Sequence, residues 1–254
     1  MKTMLFRSGV LLLQLALFGC GGSKVLKEPE PLVVTRALAS AADEQLSVTL
    51  DWVIVRDGPG TWAKNVDWDE YLIRVDNLSE DSLQLTNIIA LDSLGTRIDA
   101  GATRKQLIKG TKKAKRRYKG EGLKVKAGAG AGTMMVAGAV TAATAMSVGA
   151  AAVFSSSALA GAALGGLVLA PVLAVGGVFR GVNNSKVSNQ IESRQTLLPV
   201  VLQKKEEKSL DIFFPLTPSP RQIELTYVDS QGGHTLIVDT QAALEGLHLV
   251  QAEE

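Results

Sequence analysis

Leu46-Ser47-Val48-Thr49-Leu50-Asp51-Trp52-Val53-Ile54 sets apolar residues at every second place from Leu46, the period of a strand with one face in a core. The same alternation continues outward. Asp57-Gly58-Pro59-Gly60 is a turn cluster, and Tyr71, Ile73 and Val75 then alternate with Leu72, Arg74 and Asp76. Leu83, Leu85, Asn87, Ile89 and Leu91 repeat it before Asp92-Ser93-Leu94-Gly95 turns the chain toward Ile98. Beyond residue 190 the pattern resumes in Leu197 to Leu202, in Leu210, Ile212 and Phe214, and in Ile223, Leu225 and Tyr227. Asp229 to Gly233 reads as a hairpin loop leading into Thr235 to Asp239.

About four short strands on each side of a long interruption predict a mainly β sandwich, Ig-like, of about seven to eight antiparallel strands. Either half alone would leave a hydrophobic face and free edges in water. Residues 45–100 and 190–240 are therefore expected to form two halves of one sandwich, two separate small β domains being the alternative. Loops tolerate long insertions.

The 254 residues carry one Cys and two His, with a formal net charge of +2. One Cys excludes a disulfide framework and a Cys-cluster zinc site. His234 and His248 have no nucleophile partner in the sequence, so no catalytic centre is expected. Asp67, Asp69 and Glu70 lack the spacing of a calcium loop. Ala127 to Thr133 lacks the Gly-Lys-Ser/Thr ending of a phosphate loop. The three Trp read as packing residues. No enzyme class, metal, cofactor or small-molecule substrate is inferred.

The insertion has two parts. Residues 104–126 hold eleven Lys or Arg against Glu121 alone, a basic collar spanning 101–126. Lys112, Lys113, Lys115, Arg116, Arg117 and Lys119 are the candidate contacts to anionic lipid, each worth about 1 kcal/mol at such a surface. Nucleic acid is not expected, because Tyr118 is the one aromatic available there for stacking. The second part, 127–182, contains no charged residue from Ala127 to Phe179. A single membrane pass needs about 20 residues, so the run suits two passes turning at Ser155-Ser156-Ser157. The expected helices are Met134 to Phe154 and Ala158 to Phe179. Gly128 and Gly132, Gly161 and Gly165, and Gly177 and Gly181 stand four apart, and Gly138 extends the stripe of small residues. Close backbone contact along such stripes supplies packing in lipid.

At the amino end, Lys2 and Arg7 precede the apolar run Val10 to Phe18, and Leu17-Phe18-Gly19-Cys20 follows. This resembles a signal peptide (1–19) ending in a bacterial lipobox, which implies acylation of Cys20. Residues 20–44, with Gly, Ser, Pro29 and Pro31, would be a lipidated tether, and 241–254 a C-terminal tail. Lipobox and apolar run together resemble the glycine-zipper two-helix hairpins of bacterial outer-membrane lipoproteins. The resemblance covers no part of the β segments, and here the hairpin sits inside the β-rich region rather than near the acylated end. It implies a non-enzymatic outer-membrane protein with its soluble domain in the periplasm, acting as a structural or assembly component. Its expected partners are the membrane and either further copies of itself or an envelope protein complex. The alternative is a periplasmic β-sandwich binding module for an envelope ligand, with the hairpin only as an anchor.

Overall fold

The computed structural model describes residues 22–29, 32–137, 140–142, 152–154 and 179–250. The strands β1 (Lys24–Val25), β2 (Leu32–Val34), β3 (Ala39–Ala42), β4 (Leu46–Ile54), β5 (Ala63–Lys64), β6 (Trp68–Asn77), β7 (Leu83–Leu91) and β8 (Arg97–Asp99) precede helix α1 (Arg104–Gly120). Then come β9 (Lys124–Val125), α2 (Ala131–Ala137), β10 (Val140–Ala142), β11 (Ala152–Phe154) and α3 (Phe179–Arg194). The chain ends with β12 (Val200–Leu202), β13 (Glu207–Pro215), β14 (Gln222–Val228), β15 (Gly233–Asp239), α4 (Gln241–Leu244) and β16 (Leu249–Val250).

The fold is mainly antiparallel β. One sheet runs β13-β6-β4-β3, and the other runs β12-β7-β14-β15 with β8 also beside β7. Strands from before α1 pair with strands from after α3 in both. Ile212 faces Tyr71 in the first sheet, and Leu225 faces Ile88 in the second. The two sheets share one core. Leu50, Ile73 and Leu210 from the first meet Leu85, Ile88 and Leu225 from the second in a single cluster of buried residues. Tyr71 and Phe214 pack edge to face, with ring centroids 4.9 Å apart. Each such side chain contributes about 1.5–3 kcal/mol by leaving water.

Alternation weakens where the first sheet is covered on both sides. Trp68 to Ile73 is buried without interruption. The reason is a second apolar cluster on the outer face, where Trp62, Trp68 and Phe213 meet Leu107 of α1 and Val187 and Ile191 of α3. A register shift between Leu50 and Trp52 bends β4 at the start of this doubly covered region.

Several segments differ from the sequence-based expectation. The stretch 20–44, expected as a tether, contains β1 paired with β5, β2, and β3 paired with β4. Leu32 and Val34 are 2% and 3% exposed, so these isolated apolar residues are fixed by burial rather than left in water. The C-terminal tail contains α4 and β16, which pairs with β9. The collar, 101–126, contains the helix α1 and the short strand β9.

The uninterrupted helix expected from Met134 to Phe154 is also corrected. Helix α2 ends at Ala137, and Val140–Ala142 and Ala152–Phe154 are strands on either side of β2. Gly138 weakens helix continuation, and Val140, Thr141, Val153 and Phe154 favour strands. The backbone groups of β2 supply the partners. Among the described residues no helix is long and apolar enough to cross a membrane. The expected helix Ala158 to Phe179 lies outside the described residues except at Phe179, which starts α3.

Candidate functional site

Helix α1 turns the basic segment into two unlike faces. Thr103 caps it, its Oγ1 accepting the Gln106 amide at 3.3 Å from an extended backbone. At the other end Gly122, with φ +75°, reverses the chain and lets the Leu123 amide donate to the Tyr118 carbonyl at 2.9 Å. Leu107, Thr111, Ala114 and Tyr118 are buried, a stripe at helical spacing facing the sheets. Gly110 sits against Pro215, where a Cβ would come within 2.4 Å of the ring. Thr111 Oγ1 donates to the Asp67 carbonyl and accepts the Leu216 amide at 2.9 Å. The Tyr118 hydroxyl meets Ser93 Oγ at 2.7 Å and donates to the Pro218 carbonyl at 3.2 Å.

Lys105, Lys109, Lys112, Lys113, Arg116 and Lys119 are exposed on the opposite face. None of them pairs with a carboxylate among the described residues. The other two candidate contacts are turned toward the sheets. Lys115 reaches Asp67 at 3.2 Å, beside the Arg56–Asp67 pair at 3.0 Å. Arg117 pairs with Asp92, which is fully buried and also accepts the Leu94 and Thr96 amides. Lys115 and Arg117 hold the helix down, while Lys112, Lys113, Arg116 and Lys119 face outward with Lys105 and Lys109. Those last two were absent from the sequence-based set, and the signal for them is the Leu107-Thr111-Ala114-Tyr118 spacing.

Beside this helix lies a cleft of about 440 Å³ between α1 and β8. Lys109, Lys113, Gln106 and Arg117 line one wall, Arg97 to Ala100 the other, and Pro215 and Leu216 complete it. Arg97 is engaged by Glu224.

The carboxylates considered for calcium diverge. Asp67 meets Arg56 and Lys115. Glu70 accepts Arg194 Nε at 2.8 Å and Trp62 Nε1 at 2.7 Å, tying the end of α3 to the first sheet. Burial pushes Glu70 up to about 7 against the opposing pull of Arg194, and it raises Asp211 as well. Asp69 meets His248 at 2.7 Å with both side chains fully buried. Burial raises Asp69 although His248 pulls the other way. This pair spans 179 positions of sequence, so no local signal could have found it. Among the described residues no group of three or more His, Cys, Asp or Glu could hold a metal ion.

His248 also fastens the glycine-rich loop ahead of α2. The Gly128 amide donates to its Nδ1 at 3.1 Å, and its own amide donates to the Ala129 carbonyl at 2.6 Å. Gly128, expected in a helix-packing stripe, instead has φ +76° in this turn, where a Cβ would come within 2.5 Å of the Arg56 carbonyl oxygen. Gly132 is in α2, with nothing within 4 Å of where its Cβ would be. Gly181 lies near the start of α3. Cys20, Gly138, Gly161, Gly165 and Gly177 lie outside the described residues.

No protein-family model and no curated protein matches the chain. A crystal structure of a candidate lipoprotein from Bacillus subtilis superposes at a TM-score of 0.31 with 9% identity, over 80% of this chain. The chain spans 38% of the length of that protein. At that score the likeness carries neither fold nor role to this chain.

Proposed function

We propose that this protein is a non-enzymatic lipoprotein of the bacterial outer membrane, acylated at Cys20, with a structural or assembly role in the envelope. The observation that carries the reading is the outward face of α1. Six cations without acidic partners among the described residues stand immediately before a run free of charge from Ala127 to Phe179. At an anionic surface each cation contributes about 1 kcal/mol, screened within about 10 Å at ordinary ionic strength. The acyl chains add about 0.8 kcal/mol per buried CH₂. The charge-free run supplies further lipid contact, and its small residues, Gly161 and Gly165 among them, suit close packing with another copy or an envelope partner. The sandwich then stands in the periplasm. A second reading, a binding module with the apolar run as a mere anchor, is favoured by the cleft beside α1.

Two measurements test the first reading. Cys20→Ala should abolish acyl labelling of the protein in a bacterial host. In flotation with anionic vesicles, the unacylated chain should still bind, and Lys112→Glu with Arg116→Glu and Lys119→Glu should weaken that binding at low salt. Normal labelling of the Ala variant removes the acylation site from Cys20. Binding indifferent to charge reversal removes α1 from the membrane contact.

A further inference from the structure

We infer that the cleft between β8 and α1 is a binding site for a phosphomonoester. Its about 440 Å³ falls within the range of small-molecule sites. Its charge is arranged for an anion. Lys109 and Lys113 stand one helical turn apart on the same wall, close enough for both ammonium groups to reach one ligand. Asp99 is the one acid among the lining residues, and it is exposed.

The state of the two arginines leaves the lysines and Gln106 as the main donors to a ligand. A guanidinium suits a carboxylate by presenting a fork of two N–H groups. Here Arg97 is engaged by Glu224 and Arg117 by the buried Asp92, each through Nη2, so neither presents its whole fork to a ligand. The groups left are two lysine ammoniums, which bind phosphate as point charges, and the Gln106 amide nitrogen. Gln106 Oε1 already accepts from Thr103 at 3.1 Å, so its NH₂ is the group free to donate. A monoester near neutral pH carries between one and two negative charges and three strong acceptor oxygens, which matches two cations and one amide. Ile98, Pro215 and Leu216 give the cleft an apolar part, suited to the carbon skeleton of the ester.

The site shares Lys109 and Lys113 with the outward face of α1, but the other cations of that face are not part of it. Lys112 and Arg116 point to solvent and do not line the cleft. Either reading can therefore fail alone. Two sources share this chemistry: a soluble phosphorylated metabolite and the headgroup of a phosphatidic acid-type lipid.

The test uses the full chain in mild detergent. Glycerol phosphate is titrated by calorimetry, and vesicles of phosphatidylcholine with or without phosphatidic acid are floated in parallel. Saturable binding of one glycerol phosphate per chain is expected, weakened about tenfold or more by Lys109→Gln with Lys113→Gln. Lys112→Gln with Arg116→Gln should leave it unchanged. Ala100→Phe, which narrows the cleft without altering charge, should weaken it as well, a response that diffuse surface attraction would not give. If phosphatidic acid vesicles alone bind and depend on Lys109, Lys113 and Ala100, the site stands and its source is the lipid headgroup. Loss of binding in both lysine pairs alike, or indifference to Ala100→Phe, overturns the site. So does the absence of saturable binding to either probe.

Discussion

His248 accepts the Gly128 amide at Nδ1, so its ring proton sits on Nε2 and is donated to Asp69. One side chain thereby joins the start of β6 to the glycine-rich loop ahead of α2. That loop depends on glycine at two points. Gly130 has φ +70°, and a Cβ there would come within 2.1 Å of the Gly246 carbonyl oxygen. Gly130→Ala is expected to cost about 2 kcal/mol or more, combining backbone strain with a clash against main chain. Gly132→Ala, in a helix with open space around it, should be neutral or stabilising by up to about 1 kcal/mol. Urea midpoints of the two variants decide whether glycine here serves the turn or a packed stripe.

Glu70 makes a pH prediction at the same scale. Its pKa is raised from 4.5 to about 7 in the folded chain, so between those values the folded state binds more protons than the unfolded one. Its contribution to stability is present below about 4.5 and is lost as pH rises through 7, at a slope of at most about 1.4 kcal/mol per pH unit. Asp69 and Asp211 are raised too and act in the same direction above 3.8. Denaturation of the full chain between pH 4.5 and 7 should show this decline, and Glu70→Gln should flatten it. An unchanged slope in Glu70→Gln would assign the decline to other groups.

Among elements, α1 shows why charge was legible in the sequence and the helix was not. Its inward stripe includes Thr111 and Ala114, which do not stand out as hydrophobic, and eleven cations in and after it obscure the spacing. The helix is held by few apolar contacts. Leu107→Ala should therefore cost about 2–4 kcal/mol and loosen α1, whereas Lys112→Ala should stay within about 0.5 kcal/mol. Circular dichroism during urea unfolding measures both. The main strands β4, β6, β7, β13, β14 and β15 were legible because each alternates over several residues. The strands β1, β2, β3, β9 and β16 are two to four residues long, too short for a period to emerge. All but β3, which pairs with the adjacent β4, have partners far away in sequence: Lys24 meets Lys64, and Leu249 meets Val125. The basic face was readable in outline, but separating Lys115 and Arg117 from their neighbours required knowing where Asp67 and Asp92 fall.

At the scale of the molecule, alternation alone treats everything between residues 101 and 190 as dispensable to the two sheets. The outer apolar cluster argues otherwise, since Leu107 and Val187, together with Ile191 just beyond the segment, cover Trp62, Trp68 and Phe213. Removing 101–190 would strip Leu107 and Val187 from three aromatic side chains on one face of the first sheet and cut α3 down to residues 191–194, the short end that carries Arg194, the partner of Glu70. Removing only 138–178 keeps α1, α2 and α3. A short Gly/Ser linker in place of 138–178 is expected to leave one cooperative unfolding transition with both sheets intact. Strand β2 would lose both neighbours, β10 and β11, so amide exchange should rise first at residues 32–34. The wider deletion should lower stability by several kcal/mol or aggregate through its exposed aromatics. If the two deletions unfold alike, α1 and α3 contribute nothing to the sandwich. If even the narrow one destroys cooperativity, residues 138–178 belong to the folding unit itself.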